Sequence, residues 1–402
     1  MADSASATVL VGRDDECSAL AAALDATRAG RGGAVLLSGE AGIGKTQLAG
    51  YGAALAAQRR MRTVWGRCSR DPEAPAYWPW VQALRAALRS VESDTIADAL
   101  GPHLEMLVHL LPELREQLTP PSTEHGSDPG QARFRLFESV TALMLSIAST
   151  PHEGGGQEAA AETGLAVVLD DIDQADDASL ALLVFVAQAI VDAPVLIIGT
   201  FRQETLAERS SVRDTLAELA RVRGTRRLLL PPLDIGAVQT LLTHMLGTPV
   251  SPALAAAVQN RTGGVPFYVT ELARALQGRP LDVALTMVPP SVREIVHTRA
   301  ARMTPATVAA VTTASVLGQE FDISVLASMT DQALDPVLDA IAEAERAHLV
   351  AATERPGAYR FAHAMVRDTL YEALPTAQRV RLHRLAGEAM EPYPLGGGQG
   401  LV

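Results

Sequence analysis

Residues 39–46 read GEAGIGKT, which fits the spacing G-x-x-x-x-G-K-[ST]. A short apolar run precedes this segment, and an alanine-rich helical pattern follows it. In such a loop, backbone N–H groups at a helix N-terminus cradle phosphates, the lysine reaches the β- and γ-phosphates, and the threonine hydroxyl binds Mg²⁺. The alternative, a chance glycine turn, does not account for the strand before it and the helix after it. We therefore expect ATP or ADP to contact Gly39, Glu40, Ala41, Gly42, Ile43, Gly44, Lys45, Thr46 and Gln47.

Lys45 is the only lysine in the chain, which has 34 lysine and arginine residues. An ammonium is a compact point charge, whereas a planar guanidinium is too large for an enclosed phosphate loop. The use of lysine at this one position supports a phosphate-binding and catalytic role.

An acidic pair follows a buried apolar strand in LAVVLDDIDQADD, residues 165–177. Asp170 is predicted to hold Mg²⁺ directly or through water. Asp171 is predicted to orient the attacking water, and because aspartate is one methylene shorter than glutamate, we expect slow hydrolysis. The alternative is a solvated strand end with a helix cap. Asp173, Asp176 and Asp177 are interpreted as turn and capping residues of the next helix.

Thr200 and Arg202 end the next predicted strand, LIIGTFR, which we expect beside the strand that leads into the phosphate loop. Arg202 is a candidate contact for the γ-phosphate. A surface arginine in a loop is the equally weighted alternative.

The three tryptophans, at positions 65, 78 and 80, suggest a ligand pocket, but packing against the sheet is the preferred interpretation. Arg133 and Arg135 are interpreted as solvated or ion-paired residues rather than as contacts to a neighbouring subunit's phosphate.

Strands alternate with helical segments in the first 230 or so residues, which predicts an α/β fold with a parallel sheet and a ligand at the carboxyl ends of its strands. From about Asp234 the pattern is helical throughout. With 402 residues and 48% hydrophobic content, the chain is long enough for two or three domains.

The formal net charge of −12 argues against broad affinity for nucleic acid or anionic membranes. Cys17 and Cys68 lie far apart and match no metal-binding spacing, which is typical of a reduced cytosolic protein. The N-terminus lacks the pattern of a signal peptide, and no apolar run is long enough to span a bilayer. We expect a soluble cytoplasmic protein with no membrane partner.

Eight segments occur in an order that resembles the large ATP-binding regulators of the LuxR family, which belong to the STAND class of signal-transduction ATPases. They are LVGRDDE, GEAGIGKT, WGRC with APAYWPW, VVLDDIDQADDASLALL, IIGTFRQ, TGGVPFYVTELARAL, VLGQEFD and YRFAHAMVRDTLYEAL. The resemblance runs from about Leu10 to Met390. Two positions depart from the usual family pattern: Asp173 and Gln174 replace His-Trp, and Val265 replaces the asparagine of Gly-Asn-Pro.

The resemblance implies an AAA-like P-loop nucleotide-binding domain over 1–232, a small helical domain over 233–288, a winged-helix domain over 289–392 and a flexible tail over 393–402. It also implies that Val11, Gly12 and Arg13 line the adenine side of the nucleotide. Pro266 would pack on the base, and His363 would contact the β-phosphate. A structural role for His363 is the alternative.

The resemblance further implies a nucleotide-operated switch that changes from a closed to an open form and self-associates, under an unknown inducer or partner protein. A working ATPase and a scaffold that uses nucleotide only structurally remain alternatives. The segment 331–350, the candidate recognition helix of the winged-helix region, carries five acidic residues against Arg346, so we expect no direct DNA binding by this chain alone.

Overall fold

The computed structural model describes residues 10–69, 71, 73–89, 103–117, 129–150, 164–203, 205–277 and 287–391. It divides into two compact units, Met1–Pro231 and Pro232–Val402. The predicted tail, residues 393–402, lies outside the described residues.

The first unit is built on a five-stranded parallel sheet. Its strands are β1 (Gly33–Gly39), β2 (Arg62–Arg67), β3 (Leu165–Asp170), β4 (Val195–Arg202) and β5 (Thr225–Leu229). Their spatial order is β2-β3-β4-β1-β5. Parallel strands all point the same way, so the residues that follow β1, β3 and β4 meet at one edge of the sheet.

Helices flank this sheet in the order expected of a strand-helix alternation. They are α1 (Asp14–Arg28), α2 (Lys45–Gln58), α3 (Trp78–Leu88), α4 (Leu104–Leu110), α5 (Leu114–Gln117), α6 (Pro129–Ser149), α7 (Asp177–Ala189), α8 (Thr205–Glu208) and α9 (Ser210–Leu219). A 3₁₀ turn, Ile172–Gln174, joins β3 to α7.

The central strands β1 and β3 are buried over their whole length. Both read as nearly continuous apolar runs because helices cover both faces of a parallel sheet. Trp80 and Phe201 are among the largest fully buried side chains of this core. The packing prediction is therefore confirmed for Trp80, whose ring N–H also donates to the Ser179 carbonyl at 3.1 Å. It is wrong for Trp65, which lies on edge strand β2 and is 37% exposed.

The second unit is mainly helical. Its helices are α10 (Ile235–Leu246), α11 (Pro252–Thr262), α12 (Pro266–Leu276), α13 (Pro290–Ala300), α14 (Pro305–Ala314), α15 (Ile323–Thr330), α16 (Leu334–Arg346), α17 (Ala364–Glu372) and α18 (Thr376–Met390). It also contains β6 (Glu320–Asp322), β7 (Val350–Ala352) and β8 (Ala358–Phe361), which form an antiparallel sheet in the order β6-β8-β7.

The predicted α/β class is confirmed, with a parallel sheet flanked by helices and a helical C-terminal region. The helical pattern after Asp234 missed β6, β7 and β8, because strands of three or four residues are too short to show a clear period of two. The winged-helix assignment stays a prediction. Within the described part of the chain, no helix combines the length and hydrophobicity needed to cross a membrane.

Candidate functional site

The loop between β1 and α2 turns through glycines that no other residue could replace without strain. Gly42 and Gly44 have positive φ angles of 84° and 100°. Gly44 is the N-cap of α2, and no side chain caps this helix end. The first N–H groups of a helix have no partner within the helix. This end of α2 is therefore suited to bind phosphate oxygens.

Lys45 begins α2 and is only 7% exposed. Its ammonium donates hydrogen bonds to the carbonyls of Gly39 at 2.8 Å and Glu40 at 2.9 Å. The side chain therefore folds back over the loop and places its positive charge there. A compact ammonium with three donors fits this position, whereas a planar guanidinium does not present its donors in that geometry.

Asp170 ends β3 and has no exposed surface. Its Oδ1 accepts hydrogen bonds from the hydroxyls of Thr46 at 2.9 Å and Thr200 at 2.7 Å. A buried carboxylate needs such partners, because removal from water is costly without them. The structure thus brings together Thr46 and Asp170, the two predicted Mg²⁺ ligands, from segments 124 residues apart.

Arg67 is a third partner of Asp170, and our sequence reasoning missed it. Its Nη2 lies 3.0 Å from Asp170 Oδ2, although the Arg67 side chain is 68% exposed. Arg67 ends β2, where the strand register pairs it with Asp170. The Gln82 side chain holds the Arg67 backbone, accepting from its N–H at 3.3 Å and donating to its carbonyl at 3.0 Å. The position of Arg67 at the end of a predicted strand is the sequence feature that could have indicated this contact.

Asp171 adopts a left-handed conformation, with φ 57° and ψ 48°. Its backbone N–H donates to the Thr200 hydroxyl at 2.8 Å, so Thr200 connects the two acidic residues. Burial raises the pKa of the Asp171 carboxyl, and the nearby negative charges of Asp170 and Asp173 raise it further. A carboxyl with a raised pKa is a better proton acceptor than an ordinary aspartate.

Arg202 ends β4 and pairs in the strand register with Gly39, the first residue of the phosphate loop. The expected neighbourhood of β4 and β1 is therefore confirmed. The Arg202 backbone N–H donates to Asp173 Oδ1 at 3.1 Å, and the Thr205 hydroxyl donates to Asp173 Oδ2 at 3.2 Å. A role of the Arg202 guanidinium at the γ-phosphate stays a prediction.

Asp173 lies in the 3₁₀ turn Ile172–Gln174, as the turn interpretation predicted, but its side chain has a further role that the sequence did not indicate. Its side chain is fully buried and holds the end of β4, as the contacts to Arg202 and Thr205 show. Asp176 is the cap of α7, because its carboxylate accepts from the Ser179 N–H at 2.9 Å. Asp177 lies in the first turn of that helix, as expected. Sequence alone did not separate these roles because all three residues fall in one polar run.

Arg13 is buried, at 4% exposure, and lies against the phosphate loop. Its Nη2 donates to the Ile43 carbonyl at 3.3 Å, and its Nη1 pairs with Glu16 at 3.4 Å. Val11 and Gly12 immediately precede it and are at least partly exposed. Arg13 therefore stabilises the phosphate loop through the Ile43 carbonyl. The adenine contacts of Val11, Gly12 and Arg13 stay predictions.

Pro266 and His363 belong to the second unit. Pro266 is the first residue of α12, and His363 is the residue before α17. The His363 ring packs against Tyr268, with 4.6 Å between ring centroids. His363 thus has a structural role in this packing. The nucleotide contacts of Pro266 and His363 stay predictions.

The residues of the first unit fit Mg²⁺ and a nucleotide phosphate. Mg²⁺ prefers oxygen ligands such as carboxylates and hydroxyls, which Asp170 and Thr46 supply 2.9 Å apart. Phosphates need donors and positive charge, which the uncapped end of α2 and Lys45 supply. The chemistry of this donor set is that of nucleotide binding.

A family model described as an AAA ATPase domain matches residues 9–198. The matched region contains the phosphate loop, Asp170 and Asp171. This chain carries an AAA-type P-loop ATPase domain. Nucleotide binding is implied by that domain, usually together with Mg²⁺.

Three known proteins are similar to the chain beyond this domain. An uncharacterised protein of Rhizobium meliloti (strain 1021) is 24% identical over 407 residues, which cover 93% of this chain and 36% of that protein. The chain thus spans about a third of the length of this curated relative. A Walker-type ATPase of Pyrococcus abyssi has a TM-score of 0.52 and 13% identity, covering 90% of this chain and 96% of that chain. This likeness shows a shared fold.

A STAND protein of Pyrococcus horikoshii with a tetratricopeptide repeat sensor has a TM-score of 0.39 and 15% identity. It covers 96% of this chain and 46% of that chain. A TM-score of this size supports no argument about shared architecture.

Proposed function

We propose that this chain is a nucleotide-operated switch of the STAND type, from a transcriptional regulator resembling the LuxR family. In this proposal the AAA-type domain binds ATP or ADP with Mg²⁺ and hydrolyses ATP slowly. The bound nucleotide controls a change between a closed and an open form, and the open form self-associates. An inducer or a partner protein triggers the change.

The observation that carries the proposal is the arrangement around Asp170. A buried carboxylate, the Thr46 hydroxyl and the Lys45 ammonium come together at the N-terminus of an uncapped helix. Thr46 and Asp170 would hold Mg²⁺, which supplies positive charge to the phosphates when bound. Asp171 would orient water and accept its proton; its position directly after the candidate metal ligand Asp170 and its raised pKa support this role.

A slow switch rather than a fast enzyme is favoured by the identity of residue 171. Its carboxylate is attached one methylene closer to the backbone than that of a glutamate, so it extends less far towards an attacking water. A switch also needs energy: moving a closed-to-open ratio from 99:1 to 1:99 takes about 5.5 kcal/mol of differential binding. Phosphate contacts from Lys45, Thr46 and Arg202 would supply part of this, and an inducer the rest.

The first test is to denature the purified protein, identify any released nucleotide, and measure ATP exchange and hydrolysis on the same preparation. Tightly bound ADP, slow exchange and turnover below about one per minute are expected, whereas ordinary enzymes turn over at about 1 to 10³ per second. An empty site with fast multiple turnover would identify a working ATPase instead.

A pair of Lys45 variants tests the phosphate site. Lys45→Ala should abolish nucleotide binding, because it removes the charge that lies over the loop. Lys45→Arg keeps the charge and should still bind poorly, since the guanidinium does not fit the position. Nucleotide retained by Lys45→Ala, with circular dichroism unchanged, would overturn the site assignment.

His363→Ala tests the contact implied by the family resemblance. We expect ADP to dissociate about tenfold faster from this variant, the loss of about one hydrogen bond to a charged group. An unchanged dissociation rate would leave His363 with its packing role against Tyr268.

A further inference from the structure

A cavity of about 270 Å³ lies at the amino end of the parallel sheet. The end of α1, the first residue of β1 and the loops before β4 and β5 line it. Strand β1 begins at Gly33 in the cavity and ends at Gly39 in the phosphate loop. Seven strand residues span about 20 Å, so the cavity is a separate site from the nucleotide loop.

Glycines keep the floor of this cavity bare. A Cβ at Gly32 would lie 2.2 Å from the Ile190 carbonyl oxygen, and one at Gly33 would lie 2.3 Å from that of Gly224. No side chain larger than hydrogen therefore fits at Gly32 or Gly33, where the backbone lies against the carbonyls of Ile190 and Gly224. Around this floor, Ala26, Val191 and Leu196 supply an apolar wall.

Positive charge dominates the lining of the cavity, although the chain as a whole has a net charge of −12. Arg31, Arg223 and Arg226 line it, against one acidic residue, Asp192. The Arg223–Asp192 pair, at 2.5 Å, joins side chains that are 74% and 81% exposed, and such surface pairs are weak. Within the described residues, Arg31 and Arg226 make no ion pair.

We propose that this cavity binds a small organic anion. Its carboxylate or phosphate group is held by Arg31, Arg223 and Arg226, because guanidinium groups bind both kinds of anion through paired hydrogen bonds. Its apolar part packs against Ala26, Val191 and Leu196. The cavity is near the lower end of the size range of small-molecule sites, about 300 Å³, which limits the ligand to a compact molecule.

The test is calorimetric titration with phenyl phosphate, benzoate and inorganic phosphate. All proteins carry Lys45→Ala, so that the phosphate loop does not contribute. We expect saturable one-to-one binding of phenyl phosphate or benzoate, and the tighter of the two identifies the anionic group. Inorganic phosphate should bind at least about tenfold more weakly, because it lacks the apolar part. Equally tight binding of inorganic phosphate would overturn the assignment of an organic ligand.

Two variants and one control distinguish binding in the cavity from attraction to general surface charge. Arg31→Gln with Arg226→Gln should weaken binding at least about tenfold. Ala26→Leu keeps every charge but fills the cavity, and should weaken binding as much. Arg213→Gln, the control, removes one positive charge from α9, outside the cavity, and should change affinity less than twofold.

Absence of saturable binding of all three probes would overturn the proposal. So would unchanged binding by Ala26→Leu, or an equal loss in Arg213→Gln. The two arginines are exposed, so the double variant should fold even where Ala26→Leu does not, and circular dichroism checks each protein.

Discussion

At the residue scale, the candidate site depends on how the buried charge of Asp170 is compensated. Two hydroxyls and one guanidinium contact this carboxylate. Mg²⁺ held by Asp170 would bring two positive charges close to this carboxylate, which would make the Arg67 contact less necessary. Arg67 is therefore expected to matter most when no metal is bound.

Arg67→Gln should lower the free energy of unfolding of the ligand-free protein by about 1–2 kcal/mol, between the values for exposed and buried ion pairs. In the presence of Mg²⁺ and ADP the loss should be smaller. Urea unfolding with and without these ligands measures both quantities. Arg213→Gln is the matched control, because its pair with Asp214 is exposed and 3.8 Å long. Equal losses with and without ligand would contradict the role of Arg67 as counter-ion of Asp170.

Asp171→Asn should reduce single-turnover ATP hydrolysis by about 10²-fold or more, the usual effect of removing a general base. ADP affinity should stay within a few-fold, since Asp171 is predicted to act on water rather than on the phosphates. Asp177→Asn, at a 79% exposed side chain on α7, is the control and should leave hydrolysis unchanged. Hydrolysis unaffected by Asp171→Asn would remove this residue from the mechanism.

At the element scale, close backbone approaches determine where helices lie on the sheet. A Cβ at Gly66 in β2 would lie 2.0 Å from the carbonyl oxygen of Pro79 in α3. This contact places α3 directly on the strand that ends at Arg67. The position of Gln82, which holds the Arg67 backbone, follows from it.

Gly66→Ala should destabilise the protein by about 1–3 kcal/mol, because backbone atoms would have to move to admit the methyl group. Gly50→Ala is the matched control in α2, where an added Cβ meets nothing within 4 Å. That variant should gain about 0.5–1 kcal/mol from its higher helix propensity. Chemical denaturation of both variants tests the pair, and equal effects would show that β2 and α3 are not in close contact.

A second connection between elements lies in the second unit. The Glu343 carboxylate in α16 accepts hydrogen bonds from Thr307 and Thr304, at the N-terminus of α14. These bonds lower the pKa of Glu343 below its ordinary value of 4.5. A lowered folded-state pKa gives stabilisation that is present above the unfolded-state value and is lost as the pH falls through the folded-state value.

The stability difference between the wild-type protein and Glu343→Gln should therefore be largest near neutral pH and shrink below about pH 4.5. Urea unfolding at a series of pH values between 3 and 7 measures this difference. A difference that does not change with pH would show that the charge of Glu343 is not what stabilises the contact.

At the scale of the whole molecule, the chain divides into two compact units. The large core cluster around the parallel sheet is drawn from the first unit, and another cluster lies around α15 and α18 in the second. A unit with its own core is expected to fold independently.

A fragment of residues 10–231 should therefore unfold cooperatively and bind ADP through its phosphate loop. Circular dichroism during thermal unfolding and a titration with fluorescent ADP test the two parts. The same fragment with Lys45→Ala should fold and fail to bind. A fragment that is unfolded when isolated would show that its core is incomplete without residues 232–402.

The sequence by itself determined the local chemistry of this protein. Glycine spacing, the single lysine and an acidic pair after an apolar run predicted the phosphate loop and two candidate Mg²⁺ ligands, because each prediction depends on a few consecutive residues. The α/β class followed in the same way from alternating patterns. The cap at Asp176 and the first-turn position of Asp177 agree with the sequence interpretation. The buried contacts of Asp173 did not follow from it, since turn, cap and buried anchor share one residue type.

Only the tertiary structure decided which distant residues meet. The Arg67 contact to Asp170 arises from the parallel register of β2 and β3, and Thr200 contacts Asp170 because β4 lies beside β3. The arginine-lined cavity likewise joins segments near residues 31, 192 and 225. Strand order and register place these side chains, and both are set by the packing of the whole sheet, which no local pattern in the sequence encodes.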